Sequence, residues 1–165
     1  MTNTCIIIGA GHAGAQVTAN LRQEGWKGRI LVVSEEPHIP YHRPPLSKAF
    51  LAGDKELKDI YIRPQAFYDK LDVQFLLNTQ VIAVNRFQKH ITLSNGETLD
   101  YSKLAFCTGA RVRRLTVPGA NLPGVHYLRD HHDALTLKQT IQPDTRVAIV
   151  GAGFIGLEAA AVLRQ

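Results

Sequence analysis

Cysteine is almost missing from this chain. Cys5 and Cys107 are the only two in 165 residues, and each sits inside an apolar run. That argues against a disulfide-stapled secreted scaffold and fits two buried free thiols in a reducing, cytoplasmic setting. Long hydrophobic runs are missing too, since none approaches the roughly 18 residues that a bilayer-spanning helix needs. Met1-Thr2-Asn3-Thr4 leads straight into an apolar run, with no basic n-region and no cleavage site, so no secretory leader is expected. The net charge is +5, yet no basic run exceeds two adjacent residues, and Arg111, Arg113 and Arg114 form the one dense patch. Nucleic-acid binding needs a concentrated footprint, so neither nucleic acid nor membrane is expected as a partner. His12, His131 and His132 stand in a glycine turn and at a helix start, without acidic or cysteine neighbours at ligand spacing, so no metal centre is expected.

What remains is ordinary globular material. With 45% hydrophobic and 20% charged residues, a packed core is expected, and the length suits one domain or two incomplete ones. Cys5-Ile6-Ile7-Ile8 reads as a strand buried on both faces of a parallel sheet. It runs into Gly9-Ala10-Gly11-His12-Ala13-Gly14, then a helix ending near Gly25, then a second buried strand at Ile30–Val33 with Glu35 just past its end. This is a βαβ unit with a glycine-rich first turn. Gly9 permits the tight turn, Gly11 lets backbone approach a pyrophosphate, and Gly14 lets the helix pack on the strand. The helix start favours phosphate through its exposed N–H groups and its dipole. Glu35 lies at roughly the 20-residue distance at which an acid accepts hydrogen bonds from a ribose diol.

The next stretch, Pro40 to Leu51, organises the rest of the reading. Pro44 and Pro45 fix two φ angles and restrict the residues before them. A short helical segment follows in which Leu46, Phe50 and Leu51 face inward. Such a stiff segment is a suitable mount for one charged side chain, and that side chain is Lys48.

Beyond it, Val73–Leu77 is expected as a third parallel strand, and 81–87, 90–93 and 98–101 as an antiparallel meander with Asn95-Gly96 as a hairpin turn. Lys103–Cys107 reads as another buried strand closing on Thr108-Gly109. After a linker punctuated by Pro118-Gly119 and Pro123-Gly124, helical spacing covers 129–141, and Arg146–Val150 is expected as a strand. It opens onto Gly151-Ala152-Gly153-Phe154-Ile155-Gly156, a second copy of the glycine motif, and a helix. Two dinucleotide signatures in matched contexts imply two nucleotides brought together, the arrangement for passing a hydride from a nicotinamide to a flavin. The expected fold is α/β. A Rossmann-like domain, with a parallel sheet and an antiparallel meander, spans 1–110. The beginning of a second Rossmann-like domain spans 111–165.

These residues resemble the FAD-dependent, NAD(P)H-linked ferredoxin and rubredoxin reductases of bacterial oxygenase systems, the putidaredoxin-reductase-like group. The shared marks are Gly9 to Gly14, Pro-Pro-Leu-Ser-Lys at 44–48, the Ala-Phe-Cys-Thr-Gly strand end at 105–109, and Gly-Phe-Ile-Gly-Leu-Glu at 153–158. The proline–lysine core is the most discriminating of them. The resemblance implies that FAD lies on the first domain at Gly9, Gly11, His12, Ala13 and Gly14, with Ala13 and Glu35 at its AMP half. It implies Arg43, Pro45, Lys48 and Arg129 on the pyrophosphate and isoalloxazine side, Val81 at the adenine through its backbone, and Thr108 and Gly109 along the dinucleotide. NAD(P)H would be received by Gly151, Gly153, Phe154, Ile155 and Gly156. Lys48 paired with Glu158 would be the catalytic pair beside the flavin, a fixed ammonium stabilising negative charge as it develops.

Residues 38–51 carry no cysteine, unlike related disulfide reductases, so electrons are expected to leave the flavin for an external ferredoxin or rubredoxin. Such partners are acidic, and a basic reductase would steer them. Related readings are a reductase of the nitrite-reductase or monodehydroascorbate type, or a flavoprotein of the apoptosis-inducing-factor kind. The sequence stops within an apolar-periodic helix, and the residue separating NAD from NADP belongs roughly 20 residues past Gly156. The chain is therefore expected to be the N-terminal part of such a reductase, and weak in catalysis alone.

Overall fold

The computed structural model describes residues 3–164. In chain order its elements are β1 (Thr4–Ile8), α1 (His12–Gln23), β2 (Arg29–Val33), a 3-10 turn (Pro44–Ser47), α2 (Ala49–Ala52), a second 3-10 turn (Leu57–Ile60), α3 (Gln65–Lys70), β3 (Val73–Leu76), β4 (Val81–Asn85), β5 (His90–Leu93), β6 (Thr98–Asp100), β7 (Lys103–Phe106), α4 (His131–Thr140) and α5 (Phe154–Leu163). They fall into two compact units. The first runs to Tyr41 and resumes over Tyr61–Gly109, and the second takes His42–Ile60 together with the chain from Ala110 onward. Compactness therefore assigns the proline stretch to the second unit, whereas the expected boundary at 110/111 divides the chain by cofactor.

In the first unit, four parallel strands lie in the order β3-β2-β1-β7. Alternation along β1 sends Cys5 and Ile7 to one face and Ile6 to the other. Cys5 and Ile7 join Ile30, Val32, Ile39, Tyr68 and Val73 in one buried cluster, against which Val17 and Leu21 of α1 pack. On the opposite face Ile6, Leu31 and Val33 meet Ile91 and Leu93 of the antiparallel sheet β4-β5-β6. The meander thus covers the face that α1 and α3 leave open. This is why the strands read as continuous apolar runs. β4 stops at Asn85, short of the expected 87, because the Asn85 carboxamide oxygen accepts from the Phe87 and Gln88 N–H groups and turns the chain.

In the second unit, α2 packs on the proline turn, on α4 and on α5. The Phe50 and His131 rings meet in a T-shaped contact at 5.1 Å between centroids, and Lys138 Nζ lies 5.9 Å from the Phe50 centroid. The buried residue of α4 is Ala134, while Leu135 and Leu137 are half-buried. Asp130 and Asp133 close a reciprocal capping box at the start of α4. The expected strand at Arg146–Val150 is not formed. A strand exists only by pairing, and among the described residues of this unit nothing pairs with it, so Val147, Ile149 and Val150 stay exposed.

Tyr68 is fully buried, and among the described residues its hydroxyl has no hydrogen-bond partner. Burial pushes its phenol up to about 12, with Arg63 pulling weakly the other way. A folded value above the ordinary value of about 10 means the native state holds the proton longer, so this contribution is complete below about pH 10 and is lost as pH rises through about 12. Tyr68→Phe removes the orphaned hydroxyl and should leave the melting temperature at pH 7 unchanged or higher. It should also flatten the fall in melting temperature between about pH 10 and 12. Thermal unfolding across that range checks both, and a clear loss of stability at pH 7 would show that the hydroxyl has a partner.

Candidate functional site: two glycine turns and a proline-anchored ion pair

The first glycine turn follows β1 directly. Gly9 has φ +108°, and a Cβ there would sit 2.3 Å from the Cys107 carbonyl oxygen. A Cβ on Gly14 would sit 2.1 Å from the Gly9 carbonyl oxygen. Both glycines are therefore demanded by the protein's own backbone. Gly11 is not: nothing lies within 4 Å of where its Cβ would be. The second turn repeats this division. Gly151 has φ +114°, and a Cβ on Gly156 would meet the Gly151 carbonyl oxygen at 2.6 Å, while the space at Gly153 is open.

Gly11 and Gly153 are the N-caps of α1 and α5, and neither helix start has a side-chain capping hydrogen bond. The contrast with the capped start of α4 is informative. Orphan N–H groups at a helix start are usually satisfied by a side chain, water or a ligand. At both of these starts the capping glycine is one that the protein's own packing does not require, since nothing lies within 4 Å of where its Cβ would be. These features fit a pyrophosphate approaching each turn.

Around the first turn, His12 and Ala13 are exposed at the start of α1. Thr108 and Gly109 are exposed just past β7, where Cys107 N–H donates to the Ile8 carbonyl at 2.8 Å and Gly109 takes φ +66°. Glu35 is exposed beyond the end of β2. The adjacent Glu36 is half-buried, and its carboxylate accepts from the Tyr41 hydroxyl, which braces the loop. Val81 opens β4 beside an irregularity in its pairing with β5. The first unit thus holds Gly9, Gly11, His12, Ala13, Gly14, Glu35, Val81, Thr108 and Gly109.

The second unit gathers the others. Pro44 and Pro45 start the 3-10 turn, where their missing N–H groups cost nothing, and Leu46 and Ser47 are buried beneath it. Lys48 emerges at the end of that turn and its Nζ lies 3.1 Å from Glu158 Oε1, one turn into α5. Ser47 Oγ donates to the other carboxylate oxygen, Glu158 Oε2, at 2.7 Å. The Ser47 hydrogen bond, then that of Lys48, hold the Glu158 carboxyl below the usual carboxylate range. Ser47 is a site residue that reading the sequence missed, although it stands inside the quoted Pro-Pro-Leu-Ser-Lys core. Arg43 donates to the Arg129 carbonyl at 3.1 Å, and Arg129 Nε donates to the Ala110 carbonyl at 3.0 Å. The proline stretch, the linker and α4 are thereby tied together. Phe154 and Ile155 are exposed in the second turn.

Both thiols are free. Burial pushes Cys5 up, reinforced by Cys107 nearby and opposed by Lys103, and burial also pushes Cys107 up. Held as thiols, neither is a nucleophile at neutral pH. Cys5 should resist iodoacetamide near pH 7.5 at least about tenfold better than an unfolded thiol. Mass spectrometry of the alkylated chain measures this, and labelling as fast as in denaturant would contradict it.

Among the described residues no helix is long and apolar enough to cross a membrane, and no group of three or more His, Cys, Asp or Glu is placed to hold a metal ion. The family model for pyridine nucleotide-disulphide oxidoreductases matches residues 3–165. A ferredoxin–NAD(P)(+) reductase from Sphingomonas sp. is 42% identical over 168 residues, covering 100% of this chain and 41% of that protein. A rubredoxin–NAD(+) reductase from Pseudomonas putida is 42% identical over 155 residues, covering 94% and 40%. Among solved structures, the putidaredoxin reductase chain of a covalent putidaredoxin reductase–putidaredoxin complex matches with TM-score 0.90 and 39% identity, over 98% of this chain and 40% of that one. The chain therefore spans about two fifths of the length of these relatives. With both glycine turns, the parallel sheet and the meander matched along its length, this chain belongs to the pyridine nucleotide-disulphide oxidoreductase family.

Proposed function

We propose that this chain is part of a cytoplasmic flavoprotein reductase that passes electrons from NAD(P)H through FAD to a small iron–sulfur protein or rubredoxin, serving an oxygenase. Residues 1–110 supply FAD-binding chain and 111–165 begin the NAD(P)H-binding part. The observation that carries the reading is Lys48 held 3.1 Å from Glu158 in the helix of the second glycine turn. The roughly 40% identical ferredoxin and rubredoxin reductases support it.

FAD, when bound, supplies the conversion between two-electron and one-electron transfer that joins a nicotinamide to an iron–sulfur centre. The protein's share is binding and charge. N–H groups at the start of α1 take the pyrophosphate past Gly11, with His12 and Ala13 beside it, and Glu35 accepts from the ribose hydroxyls. The Val81 backbone meets the adenine, and Thr108 and Gly109 lie along the dinucleotide. Arg43, Pro45 and Arg129 serve the flavin side. The start of α5, with Gly153, Phe154 and Ile155, takes NAD(P)H. Lys48 presents an ammonium where negative charge develops, and Glu158 aims it, so little reorganisation is needed as charge moves. With no cysteine in residues 38–51, electrons leave for an external partner rather than for a protein disulfide. The net charge of +5 suits an acidic partner.

Lys48→Ala should slow flavin reduction by NAD(P)H by about 10- to 100-fold in stopped-flow, and an unchanged rate would refute its role. The glycine division gives a second test. Gly11→Ala should preserve the melting temperature while weakening FAD retention, whereas Gly14→Ala should lower stability itself, because its Cβ meets backbone. If Gly11→Ala binds FAD as well as the parent does, the pyrophosphate does not pass there.

A further inference from the structure

Glu158 is held by two donors of very different stiffness. Lys48 reaches one carboxylate oxygen through a four-carbon chain, and its side chain is 52% exposed. Ser47 reaches the other through a single rotatable bond, from a residue that is 5% exposed in a turn begun by two prolines. A hydroxyl has one hydrogen to donate. At 2.7 Å to Glu158 against 3.5 Å to the Pro44 carbonyl, that hydrogen points at the carboxylate. Glu158 is the only ionisable residue of α5, and α2 carries none, so Lys48 is the charged group that faces it from the proline turn and α2.

A half-exposed ammonium on a flexible stem fixes a carboxylate's orientation less firmly, because ordering a long side chain costs more entropy. A short buried hydroxyl fixes it more firmly, having little freedom left to lose. We propose that Ser47 is a positioning residue: it fixes Glu158, and Glu158 in turn aims Lys48. The order of control is Ser47, then Glu158, then Lys48, and the rigidity that the prolines impose is delivered through the serine rather than through the lysine's own side chain. The consequence for electron transfer rests on the reading, given above, that the Lys48–Glu158 pair acts beside the flavin. The anchoring itself does not.

Two readouts keep these apart. The first is the carboxylate titration of Glu158 in the full chain, followed by carbon NMR with glutamate labelled at the carboxyl and assigned with Glu158→Gln. Ser47→Ala should move the midpoint up, toward an ordinary glutamate, and by more than Lys48→Gln does. Ser47→Cys, of similar volume with a weak donor, should behave like Ser47→Ala and serves in its place if the alanine variant does not fold. Ser47→Thr should restore the parent value. The second readout is flavin reduction by NAD(P)H in the holoenzyme, which should fall by about tenfold in Ser47→Ala and recover in Ser47→Thr. A Glu158 midpoint unchanged in both Ser47→Ala and Ser47→Cys overturns the proposal. A shifted midpoint with flavin reduction intact in both Ser47→Ala and Lys48→Ala upholds the anchoring and overturns the placement of the pair at the flavin.

Discussion

The close approach of a helix to its own preceding turn is the constraint on which this molecule depends. At Gly14 a side chain would stand 2.1 Å from the Gly9 carbonyl, and at Gly156 one would stand 2.6 Å from the Gly151 carbonyl. Only with hydrogen at these positions can each helix start directly on its turn. Because helices α1 and α5 begin on glycine, they have no capping side chain of their own for their first N–H groups. A steric requirement inside the protein thus creates an electrostatic opportunity outside it. The motif is used twice, once in each compact unit.

The surrounding architecture keeps that geometry rigid in the first unit. β1 is flanked by β2 and β7, with α1 on one face and the meander on the other, so the turn leaving its C-terminal end has little freedom. The returning end of β7 adds a second restraint by placing the Cys107 carbonyl where a Gly9 side chain would go. Thr108 and Gly109 owe their position beside the turn to that contact. In the second unit the comparable rigid part is the proline turn with α2, α4 and α5.

Much of this was legible in the residues. The βαβ order, the parallel run at 73–76, the meander and both helix starts follow from apolar periodicity and from glycine placement, since these are local consequences of backbone sterics and burial. The Lys48–Glu158 pairing came from resemblance rather than from spacing, because 110 residues separate the two and nothing in the local pattern joins them. Ser47 was invisible as a site residue. A serine after prolines looks like turn chemistry, and only the position of α5 shows what its hydroxyl meets. The expected strand at 146–150 shows the opposite limit. Its residues have strand propensity, but propensity supplies no partner, and hydrogen-bond pairing is the element's definition.

By itself, then, the sequence determined what depends on neighbours along the chain: where strands and helices begin, which glycines bend, and which face of each strand is apolar. It also determined membership of a two-nucleotide family, since two glycine motifs each opening a helix are a local pattern. Tertiary structure alone decided which glycines the protein itself requires and which stand open, because that turns on distances to backbone such as Cys107 and Gly151. It likewise decided that Glu36 meets the Tyr41 hydroxyl in the loop after β2, and that Glu158 is held from two sides. The reason is common to all three: a hydrogen bond or steric contact across a fold depends on three-dimensional separation, which no spacing along a chain encodes directly.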